Sequence, residues 1–389
     1  MFSRFLIAMM PGLVLSVCDC HAQNLPTPLP QWAFGGFLRV PTVNPIISPD
    51  TTSFFTDPMS GKQVAWEYND TFNPAATVKD GKIVVLYRAE DRFGKGIGYR
   101  TSRIGYAVSS NGTHFTRNKT PVLFPDKDDQ KYYEWPGGCE DPRVAVTEDG
   151  LYVMFYTQWN RKTPRLGVAT SKDLLHWKKH GPIFRKVMGG KFQQIPHKSA
   201  SIVTKIAGDK QVIAKINGKY YMYWGELGVY LATSVNLVDW TPLVDSKGNP
   251  RALISPRKGF FDSDLTECGP PAVITKSGIL LLYNGKNKSG AGSDRRYNGN
   301  AYSGGQVLFS AKDPTKMLSR LDHPFLYPRE PFEKSGQYAG GTVFMEGLVF
   351  FKEKWFLYYG CADSRVGVAV FDPIHPEAPD PVPFIDNQK

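Results

Sequence analysis

Short apolar runs of strand length recur along the chain, each closed by aromatic residues and bounded by glycine or a charged turn. One such run reads GKIVVLYRAED from Gly81, GLYVMFYTQW from Gly150, GKYYMYWGE from Gly218, GILLLYNGK from Gly278 and EKWFLYYGCAD from Glu353. Their starts lie 69, 68, 60 and 75 residues apart. A second piece follows the first four: IGYAVSSNGTHF (104–115), LGVATSKDLLHW (166–177), GVYLATSVNLVDW (228–240) and GQVLFSAKDPTKML (305–318). The last copy is shortened to VGVAVFD (366–372). A third piece precedes each run: FNPAATV (72–78), EDPRVAV (140–146), HKSASIV (197–203), CGPPAVI (268–274) and GGTVFME (340–346). β-branched and aromatic residues fill these pieces, and no helical period of useful length competes. Five copies of a unit with three or four short strands predict an all-β fold, a five-bladed β-propeller. The shortened last copy predicts that a strand within 35–47 completes the final blade. A single catalytic domain is expected over 23–389.

In such a fold the innermost strands line a channel and their entry loops converge at one mouth. Taking the third piece as innermost, the repeats deliver Asn73, Asp141, Lys198, the Glu267-Cys268-Gly269 turn and Gly340-Gly341 to one pocket. The ends of the next strands deliver Arg88, Gln158, Glu226, Asn284 and Asp363. A fold does not need a different polar residue at the same place in every repeat, whereas a binding site does.

Composition adds little to the fold and more to the setting. Aromatics make up 13% of 389 residues, which suits strands first and stacking on sugar rings second. The formal net charge of +11 is scattered, with no basic run that would read as a nucleic-acid arm. Residues 1–22 read as an export signal: Arg4 is followed by an apolar stretch from Phe5 to Val17, and Ala22 offers a cleavage site. This predicts a periplasmic protein. The alternative is a lipid-anchored envelope protein, since Leu15-Ser16-Val17-Cys18 resembles a lipid-attachment box. No later stretch is long enough to span a bilayer. Cys139, Cys268 and Cys361 are too few and too scattered for a disulfide framework or a zinc site, and read as small buried hydrophobes. No cofactor or metal is implied, and the oligomeric state is not legible.

Four acids lie beside apolar strands near the expected mouth: Asp141, Glu226, Glu267 and Asp363. Glycoside cleavage with inversion needs one carboxylic acid to protonate the leaving oxygen and one carboxylate to deprotonate water. The competing interpretations are a buried salt bridge of Asp141 with Arg143, and solvated loop carboxylates for Glu226 and Glu267.

The strings FNPAATV, LYRAED (86–91), SRIGYAVSSNGTHF, EDPRV (140–144), SKDLLHW and YYGCADSRVGVA (358–369) occur in order. In combination they resemble family 130 of the glycoside hydrolases, the mannoside phosphorylases and their hydrolytic relatives, from about Asn44 to Asp372. The resemblance implies a five-bladed propeller. It also implies Asp141 as catalytic acid, acting through a sugar hydroxyl, with Asn73, Arg88 and Asp363 forming the sugar pocket. Arg143, Lys198 and Asn284 are carried as further substrate-binding residues. The phosphorylases hold phosphate with cations around the third and fourth blades. Here those places read Tyr223-Trp224-Gly225-Glu226, Asp264-Leu265-Thr266-Glu267 and Tyr283-Asn284-Gly285. A phosphate dianion beside two carboxylates is unfavourable, so the pattern is similar to the β-1,2-mannosidase subgroup. Glu226 and Glu267 are then expected to hold and deprotonate water, and which of them is the base stays open. The expected partner is a mannose-containing oligosaccharide. Two alternatives remain: a β-mannoside phosphorylase, with Lys198 as a surviving cation, and a non-catalytic glycan-binding propeller. The Gly- and Asn-rich stretch Lys286 to Tyr302 is expected to be a flexible loop closing over the leaving sugar.

Overall fold

The computed structural model describes residues 29–376. The expected export segment 1–22, with Cys18, lies outside the described residues. Among the described residues strands dominate, and the helical content is limited to a short α-helix, Lys131–Glu134, and two 3-10 segments. Among the described residues no helix is long and apolar enough to cross a membrane.

Antiparallel pairing groups most of the strands into five units, and short parallel pairings join the first unit to the second and the third to the fourth. The first holds Asp70–Lys79, Lys82–Glu90, Ser102–Ser109 and Thr116–Arg117. The second holds Gly138–Val146, Tyr152–Trp159, Arg165–Ser171 and Lys178–Pro182. The third holds Ala200–Ala207, Lys219–Trp224, Tyr230–Ser234 and Thr241–Pro242. In the fourth, the first strand is split into Leu265–Cys268 and Ala272–Ile274, and is followed by Ile279–Lys286, Tyr302–Phe309 and Met317–Arg320. The split follows from Gly269-Pro270-Pro271, because proline cannot donate to a ladder. The fifth unit holds Val343–Phe351, Lys354–Cys361 and Arg365–Phe371. It is completed by Leu38–Arg39 from the start of the described chain, which pairs with Arg365–Phe371. The expectation that a strand within 35–47 closes the last unit is met.

Local chemistry explains the elements. The hairpin between the first two strands of unit one turns at Asp80-Gly81, with φ of 49° and 69°, a backbone shape that Asp-Gly adopts readily. The glycine of the second repeated piece lies under the tyrosine of the first. A Cβ at Gly105 would come within 2.4 Å of the Tyr87 ring, and one at Gly305 within 2.3 Å of the Tyr283 ring.

The apolar side chains form five clusters, and each is wedged between successive units. Leu86 of unit one meets Met154 of unit two. Phe155 meets Met222, Tyr223 meets Phe309, and Leu282 meets Leu357. The last cluster joins the fifth unit back to the first, with Tyr358 and Val368 beside Val85 and Tyr87. Cys139, Cys268 and Cys361 are free and buried among these strands, as expected of small hydrophobes.

A polar device recurs beneath the cores. In four units the strand tyrosine donates its hydroxyl to a fully buried acid that is also paired with a cation on the outermost strand. The sets are Tyr87–Glu67–Arg117 at 2.7 and 3.1 Å and Tyr156–Glu134–Lys179 at 2.6 and 2.6 Å. The others are Tyr283–Asp262–Arg320 at 2.6 and 2.5 Å and Tyr359–Glu333–Arg39 at 2.9 and 2.7 Å. In the third unit Tyr223 donates instead to the Pro314 carbonyl at 3.0 Å. Each acid satisfies a buried hydroxyl and neutralises a buried cation, so inner and outer strands of a unit are tied by one residue.

Candidate active site

The innermost strands of units one, two and five each carry a bulge at the same place. Their registers shift between Phe72 and Pro74, between Glu140 and Arg143, and between Met345 and Gly347. The bulged residues include Asn73, Asp141 and Glu346. Asn73 and Asp141 have φ of 47° and 48°, in the left-handed region that Asn and Asp tolerate best. Ser199 and Asp363 share that conformation, with φ of 60° and 50°. Strained backbone at several site residues at once is the pattern of a site whose side chains must be re-aimed.

Asp141 is buried and accepts from the Asn73 amide at 2.9 Å and from Arg88 Nη1 at 3.0 Å. Arg88 lies over the Phe72 ring, 4.6 Å from its centre, and also pairs with Glu90 at 2.7 Å and Glu140 at 2.9 Å. Burial pushes the Asp141 carboxyl up, but Arg88, Lys198, Arg143 and Asn73 outweigh it and pull the carboxyl down to about 2. Burial raises Glu140 to about 7, helped by Asp141 and Glu90 and opposed by Arg88 and Lys198. Asp363 is likewise raised to about 7 by burial, with Asp141 and Glu90 adding to it and Arg88 and Lys198 opposing.

On the other side Lys198 joins two glutamates. Its ammonium is 3.2 Å from Glu226 and 3.7 Å from Glu267. The Glu226 side chain is 39% exposed and that of Glu267 only 2%. The Ser199 hydroxyl donates to Glu267. Burial, with Glu226 beside it, raises Glu267 to about 7 against the pull of Lys198, Arg143 and Ser199. Burial opposes the charge on Lys198, yet Glu267, Glu226 and Asp141 hold its pKa well above the ordinary range.

The structure thus gathers Asn73, Arg88, Asp141 and Asp363 on one side and Lys198, Glu226 and Glu267 on the other. Several sequence readings, one of them the competing interpretation of Asp141, need correction. The carboxylate of Asp141 is not bridged by Arg143, which donates to the Asp141 backbone carbonyl and the Cys268 carbonyl, each at 3.0 Å. Arg143 also pairs with Glu346 at 3.0 Å, and with 1% exposure it ties the two sides together from below rather than meeting a ligand. The Asn284 amide is fully buried and used up at both ends by the Met345 backbone, at 3.1 and 2.8 Å, so it fastens unit four to unit five. The fifth repeat contributes Glu346, not Gly340-Gly341, because pairing sets Met345-Glu346-Gly347 level with Phe72-Asn73-Pro74.

Gln158 turns away to Glu134 and Tyr156. The stretch Lys286 to Tyr302 is not a free loop: the Asn287 amide donates to the carbonyls of Asp294, Tyr297 and Asn298 and pins it. Glu226 and Glu267 differ in kind, since the solvated-carboxylate alternative fits only Glu226.

Sequence reasoning passed over Glu90, Glu140 and Glu346. Glu140 stood beside Asp141 in EDPRV, and Glu346 stood in the fifth copy of the third piece, but only the bulge register shows that position to be equivalent to Asn73 and Asp141. Glu346 is fully buried, and apart from its ion pair with Arg143 no hydrogen bond reaches either of its oxygens. Burial, with Asp141 and Glu267 near, keeps it well above the usual carboxylate range against Arg143 and Lys198. A separate cavity of about 700 Å3, lined by Phe124, Asp128, Gln130, Trp177 and Lys179 among others, shares no residue with this site.

Carboxylates whose proton affinities are pushed apart around two cations are suited to paired acid and base chemistry. The profile described as beta-1,4-mannooligosaccharide phosphorylase matches residues 44–374, and the chain belongs to glycoside hydrolase family 130. It is 31% identical over 316 residues to a 1,2-beta-oligomannan phosphorylase of Thermoanaerobacter sp., covering 79% of this chain and 91% of that one. It is 64% identical to a solved putative glycosidase of Bacteroides thetaiotaomicron, with a TM-score of 0.89 over 90% of this chain and 100% of that one. A further solved relative is 61% identical, with a TM-score of 0.91 over 92% and 99% of the two chains. Its structure is described in the words that the GH130 family of mannoside phosphorylases contains glycoside hydrolases that target beta-1,2 mannosidic linkages in Candida mannan.

Proposed function

We propose that the five units are the blades of a β-propeller and that the chain cleaves β-mannosidic, above all β-1,2-linked, oligosaccharides by inverting hydrolysis. The observation that carries hydrolysis is Lys198, whose single charge is shared by Glu226 and Glu267 at 3.2 and 3.7 Å. A phosphate dianion placed there would meet two carboxylates and one cation already paired, whereas neutral water meets no such repulsion. Asp141 supplies the proton to the leaving oxygen, and Asn73, Arg88 and Asp363 hold the mannose being released. Glu267 is the base: it is buried, and a proton affinity near neutrality suits proton abstraction at pH 7. Glu226, at the rim, holds Lys198 and the water. The solved relatives of 61% and 64% identity, one called a putative glycosidase, support hydrolysis as the reaction.

Phosphorolysis is the second reading, and the names of the curated relatives favour it. Lys198 would then be the phosphate cation. The proposal extends to location: residues 1–22 export the chain to the periplasm, with a lipid anchor at Cys18 as the alternative.

The deciding experiment incubates the protein with β-1,2-mannobiose, with and without inorganic phosphate. Free mannose at equal rates in both is expected. Mannose 1-phosphate formed only when phosphate is present establishes phosphorolysis instead. Tight binding of the disaccharide without turnover would leave a glycan-binding propeller.

A further inference from the structure

We propose that Glu140 is a positioning residue that stores the proton used by Asp141, so that the pair carries one proton between them. This rests on the reading of Asp141 as the acid of mannoside cleavage, and it holds whether water or phosphate is the nucleophile.

Arg88 is the shared partner of three carboxylates, Glu90, Glu140 and Asp141, at 2.7, 2.9 and 3.0 Å. With all three ionised, Arg88 and its three carboxylates would together carry a net charge of −2. Like charges crowded around one cation in a buried site repel, so one carboxyl in such a group keeps its proton. The donors decide which one. Asp141 has the Asn73 amide in addition to Arg88. Glu90 has the Gln337 amide at 3.1 Å and Arg100 at 3.4 Å in addition to Arg88. Glu140 accepts one long hydrogen bond, from the Ser102 hydroxyl at 3.3 Å, beside its ion pair with Arg88, whereas Asp141 accepts two, at 2.9 and 3.0 Å. The carboxylate with the fewest donors is the one that stays protonated.

Every neighbouring element agrees. Arg88 and Glu90 face Glu140 from the strand Lys82–Glu90, Ser102 from the next strand, and Asp141 from its own. Lys198 acts on it from the third unit, and Asp363, from the fifth, feels the same Arg88, Asp141 and Glu90. Asp141, surrounded by cations, is therefore an acid that is empty in the resting enzyme. When a sugar binds, the Glu140 O–H bond breaks as an Asp141 O–H bond forms. Asp141 then passes a proton, through the sugar hydroxyl, to the leaving oxygen as the C1–O bond breaks. The nucleophile bonds to C1, and for water its proton goes to Glu267. Glu140 ends ionised and is reprotonated from solvent.

The test pairs a substrate-free measurement with kinetics on the full chain. In infrared spectra recorded across pH 5 to 9, the parent should show a carboxylic-acid band titrating near neutrality that Glu140→Gln lacks. A Glu140→Gln spectrum that keeps every titrating band overturns the proposal. Kinetically, kcat/KM of Glu140→Gln on β-1,2-mannobiose should fall roughly 10²-fold or more, the lower end of what general acid catalysis contributes. Its alkaline limb should move down by at least one pH unit. Activity on 2,4-dinitrophenyl β-mannoside, whose leaving group needs no proton, should change less than about threefold. Equal losses on both substrates with an unmoved alkaline limb would make Glu140 a packing residue. A parent that turns over neither substrate, while its infrared titration is as expected, overturns the mannoside reading and leaves the shared proton standing.

Discussion

Asp141 illustrates how one residue's role depends on neighbours drawn from several repeats. Its own strand gives it a bulged backbone, unit one gives it Asn73 and Arg88, and unit three gives it the field of Lys198. The motif EDPRV marked the residue, but it did not disclose that the carboxyl is held low, nor that Glu140 beside it is held high. His197 is a second case at this scale. It is buried against Phe184 and Trp224, and its Nδ1 accepts from the Leu166 amide at 3.0 Å. Burial, helped by Arg165, lowers it from an ordinary 6.5 to about 3. Below pH 6.5 the unfolded chain binds a proton that the folded chain refuses, so this residue's contribution is complete above 6.5 and is lost as pH falls toward 3. Denaturant midpoints of the parent and His197→Gln at pH 7.5 and pH 5 should show the parent losing ground to the variant in acid. A constant gap between them at both values would exclude His197 as the source.

At the scale of the element, the repeating tyrosine–acid–cation set is what makes four of the units alike. The tyrosines were visible as the aromatic ends of the repeated runs. Their acids were not, because Glu67, Glu134, Asp262 and Glu333 stand outside the repeated pieces, ahead of each unit's first strand, and only the folded sheet brings them to the tyrosine hydroxyls. Removing such an acid leaves a buried hydroxyl unpaired and takes a carboxylate from its buried cation, with Lys179 keeping only the carboxylate of Asp128 at 3.1 Å. Glu134→Ala should therefore cost about 3 kcal/mol, the low end for a broken buried pair. Tyr223→Phe, in the unit without an acid, should cost only about 0.5–1.5 kcal/mol. Urea unfolding of the two variants checks the contrast, and comparable losses would deny the sets any special part in stability. The same scale explains the correction at Asn284. Its place at the end of a strand resembled that of Arg88, yet the strand Val343–Phe351 lies close enough to take up its whole amide.

Across the whole molecule, the first described strand is the closing piece. Leu38–Arg39 covers the edge of Arg365–Phe371, Arg39 neutralises Glu333, Phe37 is buried in the core between units four and five, and Gln306 clamps the Phe34 backbone at 2.9 and 2.6 Å. A chain starting at residue 48 would expose that edge and leave Glu333 without Arg39, and an exposed edge strand invites pairing with other chains. Size-exclusion chromatography and thermal melting should find the shortened protein aggregated or melting well below the parent. A monomer with an unchanged melting temperature would show that the seam is closed by other contacts.

The all-β class, the five repeats and the closing strand were determined by the sequence alone, which also singled out Asn73, Arg88, Asp141, Lys198, Glu226, Glu267 and Asp363 as the polar residues that the fold gathers. Strands impose a short, regular pattern on their own residues, and polar side chains that break a repeat stand out against it. The tertiary structure alone decided which acids share a cation and which are exposed or buried. It also decided that Arg143 and Asn284 are fastenings and that Glu346 occupies the fifth bulge. Proton affinity and hydrogen-bond partnership arise between residues far apart in the chain, and no spacing along a sequence encodes the distance between them in space.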